Sequence, residues 1–126
     1  MGLDISVADY GFRAGSYHGF HAFRCWLANQ IGINYNTDNL DDISFARLND
    51  DDPRQGLLIL LMHSDCDGVI EYEGARELLK GLRAVKKGLR SFKDVDEDEQ
   101  YYRSRLHHWI IACERSIKHK EPIQFG

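Results

Sequence analysis

The chain has 126 residues, with 16 Lys+Arg against 20 Asp+Glu, a formal net charge of −4 and 43% hydrophobic residues. That length suits one globular domain over residues 1–126, able to bury a core without disulfide or metal staples. Aromatics at 11% beside 29% charged residues exclude a disordered chain. The net acidity argues against nucleic-acid or membrane binding through bulk positive charge.

Three cysteines, Cys25, Cys66 and Cys113, stand far apart with no CxxC pair, so neither a disulfide framework nor a zinc knuckle is indicated. The first residues, MGLDISVADYGF, hold acidic side chains and no basic region followed by a long apolar stretch, so they do not read as a signal peptide. The longest apolar run, Leu57 to Met62, falls far short of the ~20 residues that span a bilayer. A reducing cytoplasm is the simplest setting, with no membrane partner.

In chain order, Leu3–Val7 alternates weakly and reads as a short strand. Gly11 and Gly15 then break regularity, and Ser16 is a helix N-cap candidate. From Tyr17 to about Gln30, Phe20, Phe23, Leu27 and Ile31 recur at helical spacing. Gly32 and the 34–39 stretch end that helix, and the acidic 40–52 stretch reads as a loop with one short helical turn. Asp52-Pro53 pairs a capping residue with a proline at the first helical position, so the apolar run after it reads as a buried helix.

The box His63-Ser64-Asp65-Cys66-Asp67-Gly68 interrupts that helix, and Val69-Ile70 is suited to a single β-bridge. A third helix is expected from about Glu73 to Lys87, with Gly88 as C-cap. The fourth is capped by Asp94 or Asp96 and carries the apolar stripe Tyr102, Leu106, Trp109, Ile110, Cys113 and Ile117. Pro122 stops it, and Ile123–Phe125 is suited to pair with Leu3–Val7. The expected fold class is mainly α: four helices, a helix–DxDG loop–helix unit and a minor β element near the termini.

An EF-hand loop places oxygen ligands at positions 1, 3, 5, 7, 9 and 12, with glycine at 6 and an apolar residue at 8. With Gly68 at position 6, Asp65, Asp67, the Val69 carbonyl and Glu71 fall at 3, 5, 7 and 9, and Ile70 falls at 8. Alternate carboxylates and a carbonyl suit a hard cation such as Ca²⁺. Two positions depart from the pattern: His63 stands at 1, and Gly74 at 12 removes the bidentate carboxylate. A purely structural loop, built on Asx-type turns, accounts for the same residues.

The segments GSYHGFHAFRCWLA, LLMHSDCDGVI and HKEPIQFG, in that order, resemble a widespread group of small uncharacterised bacterial proteins with an HSDCDG box. The resemblance covers most of the chain, but its one specific motif is the box. In that group a Ser-Pro-Glu-Glu helix start follows the box, whereas here Glu71-Tyr72-Glu73-Gly74 stands in its place. The resemblance implies a fold and brings no activity.

His18, His21 and Cys25 are spaced by 3 and 4, which puts them on one helix face, beside the apolar stripe. With His63 they form an alternative ligand set, suited to Zn²⁺. His63, Asp65 and Asp67, with His18 or His21, are also the residue types that hold Mg²⁺ for phosphoryl hydrolysis. No P-loop, GxSxG or HExxH pattern is present. Cys66 lies between two aspartates whose charge raises its pKa, which weakens it as a nucleophile.

Arg76, Lys80, Arg83, Lys87 and Arg90 step by 4, 3, 4 and 3 along the third helix as a basic stripe. Few aromatics interleave with it, so stacking on single-stranded nucleic acid is not expected. The stripe suits a phosphate-bearing ligand, an acidic partner protein or the chain's own acidic runs at 38–52 and 94–99, and an ordinary solvated helix face accounts for the same pattern. Together these features describe a non-catalytic binding module around a loop that is structural or holds Ca²⁺ weakly. The alternative is a metal-dependent hydrolase acting on a phosphorylated small molecule or nucleotide.

Overall fold

The computed structural model describes residues 2–31, 52–63, 67–89 and 96–126. Strand β1 (Gly2–Val7) turns through Ala8 and Asp9 into β2 (Tyr10–Ser16), which leads directly into helix α1 (Tyr17–Asn29). A 3-10 turn over Pro53–Leu57 continues into the single-turn helix α2 (Leu58–Leu61). Strand β3 (Val69–Ile70), helix α3 (Tyr72–Gly88), helix α4 (Glu97–His119) and strand β4 (Ile123–Phe125) complete the chain.

The four strands form one sheet in the order β2-β1-β4-β3, with every neighbouring pair antiparallel. This overturns the mainly α expectation: the fold is α+β, with helices packed on an antiparallel sheet. The β1–β4 pairing suggested by the sequence is present, matching Ile5 with Phe125 and Ser6 with Gln124, but it is one ladder of three. The sequence hid the other two for separate reasons. Gly11 and Gly15 look like breaks, yet both lie inside β2. Gly15 follows a bulge at which Leu3 pairs with Gly15 and Asp4 with Arg13, and its φ of +109° suits glycine alone. β3 has only two residues, so pairing with a remote strand defines it rather than its own alternation.

The helix starts arise from capping chemistry. Ser16 Oγ accepts from the Gly19 amide at 3.0 Å, Asp52 accepts from the Arg54 amide at 2.9 Å, and Asp96 accepts from the Glu99 amide at 2.8 Å. The Arg54 side chain and amide also hold the Asp52 carboxyl below its usual range. At its far end α4 closes on Lys120 in the left-handed region, φ 55°, before Pro122. Helix α3 runs through Gly88, and Leu89 rather than the glycine is its C-cap. The reading of 40–51 as an acidic loop lies outside the described residues.

Leu3, Ile5 and Val7 are buried on one face of β1, while Asp4 and Ser6 are exposed on the other. Helices α1 and α4 pack on the buried face. Trp109 of α4 is fully buried and lies within 5.3–6.0 Å, ring to ring, of Phe12, Phe20 and Phe125, joining β2, α1 and β4. Trp26 Nε1 donates to both carboxylate oxygens of Glu99, at 3.1 and 2.9 Å, tying α1 to the start of α4.

On its other side α4 packs against α3, and α3 receives the 53–57 turn at very short range. A Cβ on Gly56 would lie 1.8 Å from the Glu77 carbonyl oxygen, and one on Gly81 would lie 2.8 Å from Leu57 Cγ. Glycine therefore allows main chain to rest on main chain. Gly56→Ala is expected to lower stability by roughly 3 kcal/mol, because the clash is with helical backbone that cannot turn aside. Urea denaturation of this variant against wild type measures the loss.

The hairpin is also held to α4 through a polar contact. Burial raises the Tyr10 pKa, so its hydroxyl stays protonated and donates to His108 Nδ1 at 2.6 Å. The His108 ring lies parallel to Phe12 at 5.3 Å. Burial, with Arg105 and His107 adding to it, pushes the His108 pKa below its ordinary 6.5. The unfolded chain then binds this proton first, so the contribution is complete above pH 6.5 and is lost as pH falls through 6.5 to the lower folded value. Urea midpoints at pH 7.5 and 5.5 are expected to show an acid-side loss that is smaller in His108→Gln.

Candidate functional site

The loop after α2 is organised by two side chains. Arg24 of α1 is 4% exposed, and its Nη1 reaches the carbonyls at the end of α2, with Leu60 at 3.4 Å, Leu61 at 3.3 Å and His63 at 2.6 Å. The Leu60 carbonyl also accepts from the His63 amide at 3.3 Å, and a cation suits the negative end of the helix. The guanidinium carbon also stands 4.4 Å from the Phe20 ring centroid.

His63 is the second. Its ring stacks on Phe125 at 4.0 Å between centroids, and its Nε2 lies 2.9 Å from the Val69 carbonyl oxygen. A carbonyl only accepts, so Nε2 carries the proton and donates. Gly68 has φ +93°, a conformation that favours glycine, and lies beside the His63 ring. Ile70 is buried in the core, and the Phe125 amide donates to the Gly68 carbonyl at 3.0 Å. The loop is thus fastened to β4 on one side and to α1 on the other.

Among the calcium-type positions, the glycine turn and the buried isoleucine are in place. Asp65 and Cys66 lie outside the described residues. Asp67 is exposed, and the Val69 carbonyl is engaged by His63. Glu71 stands at the N-cap of α3 and makes no side-chain cap bond. Of the zinc-type set, His18 is exposed, and Cys25 Sγ lies 3.5 Å from His21 Nε2. His63 is committed to Val69 and Phe125. Burial raises the Cys25 thiol pKa against the opposing charge of Arg24. Among the described residues, no three His, Cys, Asp or Glu side chains are grouped to hold a metal ion.

On α3, Lys80 pairs with Glu77 at 3.1 Å, Arg83 with Glu114 of α4 at 3.1 Å, and the Arg76 guanidinium lies 5.7 Å from the Tyr72 ring centroid. Lys87 is exposed, and Arg90 lies outside the described residues. An open cleft of about 380 Å³ is lined by Ser6, Val7, Ala8, Glu121, Pro122 and Gln124. Among the described residues, Glu121 is its only ionisable lining residue. Among the described residues, no helix is long and apolar enough to cross a membrane.

The chain matches no family model, no curated protein and no solved structure. The likeness to bacterial proteins with an HSDCDG box therefore rests on the residues of the chain alone.

Sequence reasoning passed over Arg24, although a signal was available. Arg24 follows Phe20 by 4 and precedes Leu27 by 3, which places it inside the apolar stripe of α1. A cation there has to find carbonyl or carboxylate partners. Arg24→Met keeps much of the volume and strips the donors. It is expected to destabilise the fold by about 3 kcal/mol, as buried carbonyls lose a charged partner. Thermal or urea unfolding checks this; a loss below about 1 kcal/mol, the worth of one ordinary hydrogen bond, would count against it.

Proposed function

We propose that this protein is a non-catalytic interaction module of the cytoplasm, in which the DxDG loop serves as a structural clasp. The observation that carries the reading is the bond from His63 Nε2 to the Val69 carbonyl. In a calcium loop that carbonyl, at position 7, faces the ion. Here an imidazole N–H supplies the positive end of a dipole to the same oxygen, and a cation would have to displace it. With Gly74 at position 12, the carboxylate that would reward the displacement is absent. Any Ca²⁺ held by Asp65, Asp67, Val69 and Glu71 is therefore held weakly.

The binding face in this reading is the exposed side of α3, carrying Arg76, Lys80, Arg83 and Lys87, and the partner is an acidic protein surface. The internal pairs with Glu77 and Glu114 are exposed ones of small net worth, so a partner's carboxylates can exchange for them at little loss. The resemblance of the HSDCDG box to that of small bacterial proteins agrees with a bacterial setting.

Calorimetric titration with Ca²⁺ tests the clasp. The expected result is a dissociation constant no tighter than about 1 mM, alike in wild type and Asp67→Ala. Uptake tighter than about 10 µM that disappears in Asp67→Ala would replace the clasp with a working cation site.

A further inference from the structure

The ladder register fixes which backbone groups of the two outer strands face outward. Residues of an antiparallel pair alternate between exchanging both hydrogen bonds and turning both groups away. The two-residue turn at Ala8-Asp9 makes Val7 and Tyr10 the closing, hydrogen-bonded pair, so Ile5–Phe12 is also bonded, whereas Ser6–Gly11 and Asp4–Arg13 turn away. The Gly126 amide agrees, since it donates at 3.0 Å to the Asp4 carbonyl on the β4 side of β1. Gly11 and Arg13 therefore present their N–H and C=O groups along the outer edge of β2. Among the described residues, β2 pairs with β1 alone.

That edge is self-complementary. If a second copy approaches antiparallel with Phe12 opposite Phe12, Gly11 of each copy meets Arg13 of the other. Both are outward-facing residues, so each pair can exchange two bonds. Gly11 carries no side chain to obstruct the approach. An open edge of this kind is a template for pairing unless something covers it.

Arg105 of α4 occupies one acceptor of this edge. Its Nη1 donates to the Arg13 carbonyl, and its guanidinium carbon is held 5.3 Å from the Tyr101 ring centroid. Tyr101 is itself seated where Gly15 lacks a side chain, since a Cβ there would lie 2.9 Å from the Tyr101 hydroxyl. We propose that the edge of β2 is a pairing surface for a second copy of this chain, held shut by the Arg105 guanidinium on the Arg13 carbonyl.

The test is the oligomeric state by analytical ultracentrifugation over a concentration series, with circular dichroism to establish folding. Arg105→Met keeps the aliphatic stem and removes the donor. It is expected to lower the dimer dissociation constant at least about ten-fold, while Arg105→Lys stays as monomeric as wild type. Adding Arg13→Pro, which removes an outward N–H without touching the β1 ladder, is expected to reverse the gain. Should Arg105→Met not fold, Arg105→Gln gives the same readout, its amide ending two bonds short of the guanidinium Nη. A folded donor-less variant no more dimeric than wild type would overturn the proposal, as would a dimer that persists with Arg13→Pro.

Discussion

The close approach of the 53–57 turn to α3 holds together the two segments that flank the DxDG loop. Two glycines bring main chain against main chain, Gly56 on the turn and Gly81 on the helix, and neither contact leaves room for a side chain. The turn and α3 are the two arms on either side of the 62–71 loop. Between these arms β3 pairs with β4, with Val69 opposite Gln124 and Ile70 opposite Ile123. Packing supplies part of that precision beside the bonds of Arg24 and His63, since a single added methyl group would force the helix off the turn.

The sheet depends on contacts between remote parts of the chain. β4 lies between β1 and β3 although 115 residues lie between Val7 and Ile123. Three residues make a poor strand alone, and β4 is stabilised by what surrounds it. Ile123 and Phe125 are buried, His63 stacks on Phe125, and the Ser116 hydroxyl donates to the Glu121 carbonyl just before the strand. Because the loop-closure entropy of such pairings is met before any contact forms, β4 is expected to dock late, after α4 has joined the hairpin.

How much was legible in the sequence depends on the range of the interactions. Caps at Ser16, Asp52 and Asp96 were readable because a capping side chain acts within three residues. The α4 stripe was readable because one periodic face meets one core. β2 was misread because glycines were weighed by intrinsic preference, while Gly15 is there to admit a bulge and the Tyr101 hydroxyl. The loop was half legible. Gly68 and Ile70 take the roles their spacing suggested, with a positive φ and a buried side chain. What the spacing did not convey is that His63, out of place as a calcium ligand, is a hydrogen-bond donor directed at the position-7 carbonyl.

The two outer strands meet the same problem with the same solution. By the alternation that turns Gly11 and Arg13 outward on β2, Val69 is turned outward on β3, because Gly68 and Ile70 face β4. One outward carbonyl on each strand receives a donor from a planar, nitrogen-rich side chain resting on an aromatic ring: His63 over Phe125 for Val69, Arg105 over Tyr101 for Arg13. The aromatic support matters, since a flexible donor loses side-chain entropy on binding whereas a stacked one is already held in place. This relates the odd residue in the DxDG loop to the architecture as a whole. His63 stands where a metal loop would hold a carboxylate, and there it closes a sheet edge.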